Sequence, residues 1–280
     1  MIVWIGFVGL VLFLLAMDLG VLNRKAHVIH PKEALLWTAF WVSLALTFNV
    51  FVYFLYQNKG WGLDLGFTFA LSGKDAALEF LAAYLVEESL SLDNIFVIAI
   101  IIAHFNVPGK YQHRVLFWGI MGALVMRGTM IGLGTALIHH FDWITYVFGA
   151  ILLVTAVKML LQRDESVDPE GNWLICLARR FIPVASDMSE GKFLVRIDGL
   201  THVTPLFLVL LMIETTDLLF AVDSIPAVFA VTNDPFIVFT SNVFAILGLR
   251  SLYFALAGLM DKFEMLKYSL VFILAYVGVK

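Results

Sequence analysis

Seven runs of this chain are each apolar over the length that a helix needs to cross a bilayer, and no other feature restricts the fold as strongly. The hydrocarbon core is about 30 Å thick and an α-helix rises about 1.5 Å per residue, so roughly 20 apolar residues span it. Helices are predicted at Ile2–Leu22, Ala34–Tyr56, Ala76–Ala103, Val115–Leu137, Trp143–Leu161, Thr204–Val231 and Phe236–Leu259. An eighth starts near Leu266 and reaches Lys280; it is too short to cross, and a truncated span is expected there. Composition agrees: 61% of residues are apolar and only 14% charged, against about 25% charged in a soluble domain. The mean hydropathy of +0.92 leaves too little polar surface for a water-facing shell, so lipid is the solvent. The expected class is an all-α polytopic transmembrane helix bundle, one membrane domain over residues 1–280.

The single cysteine, Cys176, excludes a disulfide within the chain and any cysteine-rich metal site. The N-terminal run lacks a basic leader, and Asp18 and Gly20 interrupt its end, so it reads as the first span rather than a cleaved signal. The loops on one side hold twelve Lys and Arg residues and those on the other only Lys59 and Lys74. Because basic residues are retained on the cytoplasmic side, the N-terminus is expected outside and the long loop 162–201 inside. That loop mixes its bases with Asp164, Glu165, Asp168, Glu170, Asp187, Glu190 and Asp198, and reads as a solvated linker.

The chain also resembles itself. Asp93-Asn94-Ile95 matches Asp223-Ser224-Ile225, and an acid lies six residues before each, at Glu87 and Asp217. Pro108 and Pro235 mark the following turns, Arg127 and Arg250 sit inside the next helices, and Phe141, Tyr146 and Val157-Lys158 match Phe263, Tyr268 and Val279-Lys280. After two N-terminal helices (1–57) the predicted organisation is therefore repeat 1 over 76–161, the loop 162–201, and repeat 2 over 204–280. Three spans per repeat give the two halves opposite orientations, an arrangement common in secondary transporters, with the site between the repeats near the midplane.

Glu87, Glu88, Asp93, Glu214, Asp217 and Asp223 all fall within predicted spans. A charge at the bilayer centre costs on the order of 3 kcal/mol on insertion scales. Six acids must therefore face a cavity, bind cations or be protonated, and the basic partners within the spans are only Arg127, Arg250 and Lys158. At about 100° per residue Glu87 shares a face with Asn94, and Asp217 with Ser224, whereas Asp223 lies opposite Glu214 on a straight helix. Convergence requires a break, which Pro226 is expected to supply by removing a backbone donor. The candidate metal ligands are Glu87, Asp93, Asn94, Glu214, Asp217, Asp223 and Ser224. Asp18, Glu88, Arg127, Arg250 and Pro226 are accessory, the arginines balancing the acids; Asn49 is expected in an interhelical hydrogen bond. An all-oxygen set suits manganese, calcium or magnesium rather than zinc or copper. The competing reading is a set of buried ion pairs that fix helix register.

The tracts Glu87-Glu88-Ser89-Leu90-Ser91-Leu92-Asp93-Asn94-Ile95-Phe96-Val97 and Glu214-Thr215-Thr216-Asp217-Leu218-Leu219-Phe220-Ala221-Val222-Asp223-Ser224-Ile225-Pro226-Ala227 resemble the TerC family of integral membrane proteins, most closely its Alx-type manganese exporters. Thr240-Ser241-Asn242 to Leu249-Arg250 and Asp142-Trp143 to Lys158-Met159 carry the same likeness. The resemblance implies a bacterial inner-membrane protein that exports Mn2+ as its substrate, with Glu87, Asp93, Glu214, Asp217 and Asp223 as the family's acidic positions; Ca2+ and Mg2+ stay open. Expected partners are the ion and the lipid bilayer; no nucleic acid is expected, and protein partners are open. The alternative is a non-transporting membrane scaffold or metal-delivery factor with a structural ion. An enzyme is not expected, since the motif of an intramembrane aspartyl protease is missing.

Overall fold

The computed structural model describes residues 2–17, 31–59, 71–141, 143–161, 183–185, 191–197 and 199–256. The expectations for Asp18, Cys176, the second-repeat matches Phe263, Tyr268 and Val279-Lys280, the helix after Leu266 and most of loop 162–201 lie outside these residues. Within them the chain is helical: α1 (Ile2–Met17), α2 (Pro31–Gln57), α3 (Gly73–His104), α4 (Gly109–His140), α5 (Ile144–Leu161), α6 (Pro205–Phe229) and α7 (Pro235–Leu256), with one short hairpin of β1 (Leu194–Ile197) and β2 (Leu200–Val203). Among the described residues four helices are long and apolar enough to cross a membrane. Many large apolar side chains point outward from them, among them Leu36, Phe54, Trp118, Val125 and Leu219. In water such a surface would be unfavourable by about 25 cal/mol per Å2; against lipid it is matched.

Local chemistry sets the ends. Ser72 caps α3, its hydroxyl accepting from the Asp75 amide at 3.2 Å and donating to the Asp75 carboxylate at 2.7 Å. Asn106, at φ 49°, turns the chain out of α3 in the left-handed region, and Pro108 precedes α4. Pro205 and Pro235 each open a helix, where a missing N–H costs nothing. Asp234 caps α7 by accepting from the Phe236 and Ile237 amides at 2.9 and 3.2 Å. It also accepts from the Tyr56 hydroxyl at 2.7 Å, which ties the end of α2 to the α6–α7 turn. Burial pushes the Asp234 carboxyl above its usual range, and these bonds offset only part of that rise.

The packing crosses between the two halves of the sequence. α3 packs on α7 and α6, α4 packs on α6 and α7, and α5 covers α6. α1 and α2 flank α3 and α7 through an aromatic core in which the Phe48 ring lies 4.8 Å from Phe244 and 5.3 Å from Phe7. The four central helices build two apolar layers. One holds Ile95, Ile98, Ile102, Val115, Leu116, Leu206, Val209, Ile213 and Leu249. The other holds Ala83, Ile131, Ala221, Ile225, Val228, Phe229 and Val238.

Two expectations need correction. α6 runs unbroken through Pro226 to Phe229, because the proline falls in the last turn, where one lost bond no longer interrupts a ladder. Loop 162–201 is also more than a linker at its end: Ile197 pairs with Leu200 to close a hairpin, with Gly199 at φ 81° in the left-handed region that suits a tight turn. The hairpin joins the start of α6 to the first turns of α4, where the Arg114 guanidinium lies 5.3 Å from the Phe193 ring.

Candidate functional site

Between the two apolar layers lies a polar hub, and its centre is Arg127 of α4, only 1% exposed. Its guanidinium pairs with the Glu87 carboxylate of α3, 0% exposed. It grips Asp217 of α6 by two bonds, Nη2 to Oδ1 at 2.9 Å and Nε to Oδ2 at 3.3 Å. Nη1 lies 3.5 Å from the Asn242 Oδ1 of α7. The Asn94 amide completes the ring once turned to suit its neighbours: its oxygen accepts from Arg127 at 3.1 Å and its nitrogen donates to the Leu90 carbonyl at 3.2 Å. Four helices thus meet at one fixed positive charge set against two carboxylates. Burial of this kind is tolerable only because opposite charges share the space.

The helical period explains the selection. Glu87 and Asn94 are two turns apart on one face of α3, with Ser91 between them, and all three are buried. Asp217 and Ser224 repeat this spacing on α6, and Ser224 is 1% exposed. The Ser91 and Ser224 hydroxyls have no hydrogen-bond partner among the described residues.

None of the other predicted positions bonds to Arg127 among the described residues. Asp223 is half-buried on the opposite side of α6, where the Thr155 hydroxyl of α5 donates to it at 2.7 Å and Lys158 lies nearby. Since α6 is unbroken, the expected convergence of Asp223 with Glu214 does not occur. Glu214 sits one turn before Asp217 with its carboxylate against Gly122 of α4, in the space that a Cβ there would fill. Asp93 is half-buried, about a third of a turn from the Glu87 and Asn94 face. Glu88 turns away from the hub toward the Tyr84 hydroxyl on its own helix. Arg250 is buried on α7, about 12 Å along the axis from Asn242. Asn49, expected in an interhelical bond, has a carboxamide oxygen without a partner among the described residues. Among those residues no three of His, Cys, Asp and Glu gather as a metal cluster. In the hub the place between Glu87 and Asp217 is filled by the guanidinium itself.

Sequence reasoning missed Asn242, Thr155 and Gly122. Asn242 had a readable signal, since Thr240-Ser241-Asn242 is a polar triplet inside an apolar span. Thr155 shares a helix face with Lys158, three residues on, but a lone threonine in an apolar helix rarely distinguishes itself. Gly122 is legible only once α4 and α6 are seen side by side.

Comparison with known proteins places these features in a family. A protein of Myxococcus xanthus named "Uncharacterized membrane protein STKORF319" is 49% identical over 277 residues, which is 99% of this chain and 82% of that one. The Escherichia coli K12 protein named "Putative membrane-bound redox modulator Alx" is 45% identical over 279 residues, 99% of this chain and 84% of its own. A membrane protein of Rickettsia bellii is 41% identical over 277 residues, covering 99% and 86%. No solved structure matches. The profile described as "Integral membrane protein TerC family" matches residues 72–280, a stretch that holds the whole polar hub, and this chain belongs to that family.

Proposed function

We propose that this protein is a secondary transporter that exports a hard divalent cation, best Mn2+, across the bacterial inner membrane by alternating access. One observation carries the reading: charged side chains from α3, α4 and α6 meet in a single buried hub, joined by the neutral Asn242 of α7 and capped on both sides by apolar layers. A membrane protein with no ion to move has little reason to hold carboxylates at that depth. The cross-packing supports the inverted-repeat reading, since the first helix of each half lies on the second helix of the other. The cation passes from the cytoplasm toward Asp223, Asp217 and Glu87, and rocking of one half on the other exposes it outside. Two buried carboxylates share one guanidinium, and proton counterflow is the coupling this reading carries. The distribution of basic loops supports an orientation with the N-terminus outside and the hairpin in the cytoplasm.

The name of the Escherichia coli relative suggests redox modulation instead. The 280 residues contain one cysteine, and a lone thiol cannot cycle between dithiol and disulfide within the chain. Oxygen ligands without thiols favour an ion over an electron as cargo. The test is Mn2+ flux into proteoliposomes of the purified chain. Flux above protein-free vesicles that is lost in Asp223→Asn supports transport; a signal equal to empty vesicles sinks it, and leaves the scaffold or metal-delivery reading.

A further inference from the structure

We propose that the Arg127 guanidinium is an internal counter-cation that the transported ion displaces, so that Glu87 and Asp217 are never left bare during the cycle. This rests on the transport reading above and gives it a mechanism at one residue.

The hub is poorly built as a static salt bridge. A buried ion pair offsets its desolvation only where further hydrogen bonds satisfy the remaining oxygen positions. Here Glu87, 0% exposed, takes no hydrogen bond besides its ion pair with Arg127 among the described residues. The hydrogen bonds seen at Asp217 both come from Arg127. Two carboxylates therefore depend on one cation, and a second cation entering the hub meets two charged oxygen donors at once. Neutral oxygens are at hand too, from Asn94 and from Ser91, whose buried hydroxyl has no partner among the described residues. The Asn242 amide nitrogen is also buried and has no partner among the described residues, which leaves the α7 side of the hub unfinished there.

Arginine suits the role for a chemical reason. It cannot lose its proton at any physiological pH, so it leaves the carboxylates only by moving. Its weakest hub contact, at 3.5 Å, is to Asn242 on α7, a neutral acceptor on the opposite side from the α6 carboxylate. Asp217 is held through Nε and Nη2, whereas Nη1 carries both the Glu87 pair and the Asn242 contact. A guanidinium that slides toward Asn242 therefore gives up Asp217 first, while Nη1 keeps a neutral partner as the incoming ion takes over the carboxylates. Cation for cation, the hub keeps its charge compensation, and the helices that each cation bridges differ. A lysine would present one compact charge and could not hold both acids and the amide together.

The test uses the full chain in lipid nanodiscs, with Mn2+ as the probe. In Arg127→Gln the two acids lose their competitor, so Mn2+ affinity is expected to rise by about tenfold or more. Added Mn2+ should also raise the Tm of this variant more than that of the wild type, while flux falls. Should Arg127→Gln fail to purify as a monodisperse species, Arg127→Lys carries the test, because its single ammonium competes less well and the affinity should rise by a smaller factor. A merely structural arginine predicts weaker binding or none in either variant. Wild-type or weaker affinity in a well-folded variant overturns the displacement idea while leaving transport intact. Absence of flux in the wild type instead removes the transport reading on which it rests.

Discussion

Asp217 and Asp223 stand six residues apart on one continuous helix and live in opposite electrostatic worlds. Six steps of about 100° leave them about a third of a turn short of alignment, which puts Asp217 against α4 and Asp223 against α5. Asp217 is gripped by a guanidinium in a sealed layer; Asp223 is half-exposed and held by the neutral Thr155 hydroxyl. The first carboxylate is bonded to a cation; the second is bonded to a neutral donor, with Lys158 nearby. α6 is therefore a partition, with a compensated face and a more open face, and that division is what experiments can break.

The largest effect is expected on stability at the compensated face. Arg127→Met leaves Glu87 and Asp217 buried without a counter-charge, which costs about 3–5 kcal/mol, whereas Lys158→Met beside Asp223 removes an exposed charge and costs less than about 1 kcal/mol. Thermal unfolding in detergent without divalent ions compares the two. Equal Tm losses would erase the distinction between the faces.

Asp223→Asn inverts the pattern. The amide oxygen still accepts from Thr155, so stability should change by less than about 1 kcal/mol, while Mn2+ flux disappears. A variant that is stable and still transports at the wild-type rate would take Asp223 out of the ion path.

Gly122→Ala sharpens the division at smaller amplitude. The new methyl takes the space of the Glu214 carboxylate, which is the end of a flexible chain and swings aside. Folding should hardly change, yet a displaced ligand slows a transport step, here on the order of tenfold. Comparing Gly122→Ala with Gly119→Ala, whose methyl would meet only Ile213, separates the carboxylate's displacement from loosened helix packing. The same loss of flux in both would assign the effect to packing.

How far these features could be read from sequence depends on which physics fixes them. Helix existence follows from length and apolarity, and the observed α2 to α7 bounds fall within a few residues of the expected ones, apart from α4, which begins six residues earlier and so gains its first two turns at Pro108. Faces follow from the 3.6 period, which is why Glu87 with Asn94 and Asp217 with Ser224 were legible as pairs. The helix break at Pro226 was not, because a proline breaks a ladder only where turns follow it, and where a helix stops is decided by the Thr232 to Asp234 turn chemistry and by packing. Arg127 was visible as a buried cation, but its choice of partners depends on how four helices lean together, which no spacing rule contains. Gly122 against Glu214 is a contact of the same kind.

The smallest expected effect is at Glu88, which neighbours Glu87 in sequence and belongs to neither face of the partition. It projects toward Tyr84, one turn back on α3, and away from Arg127. Glu88→Gln keeps an acceptor for the Tyr84 hydroxyl and removes a charge from a half-buried position, so both Tm and Mn2+ flux should stay close to wild type. The matched comparison is Glu87→Gln, one residue away, which takes one of the two carboxylates from the hub and should lower flux strongly. If Glu88→Gln instead silenced transport as fully as Glu87→Gln, α3 would present both acids to the ion during the cycle. That requires rotation of α3 about its axis, and the fixed division between hub and periphery would give way to a moving one.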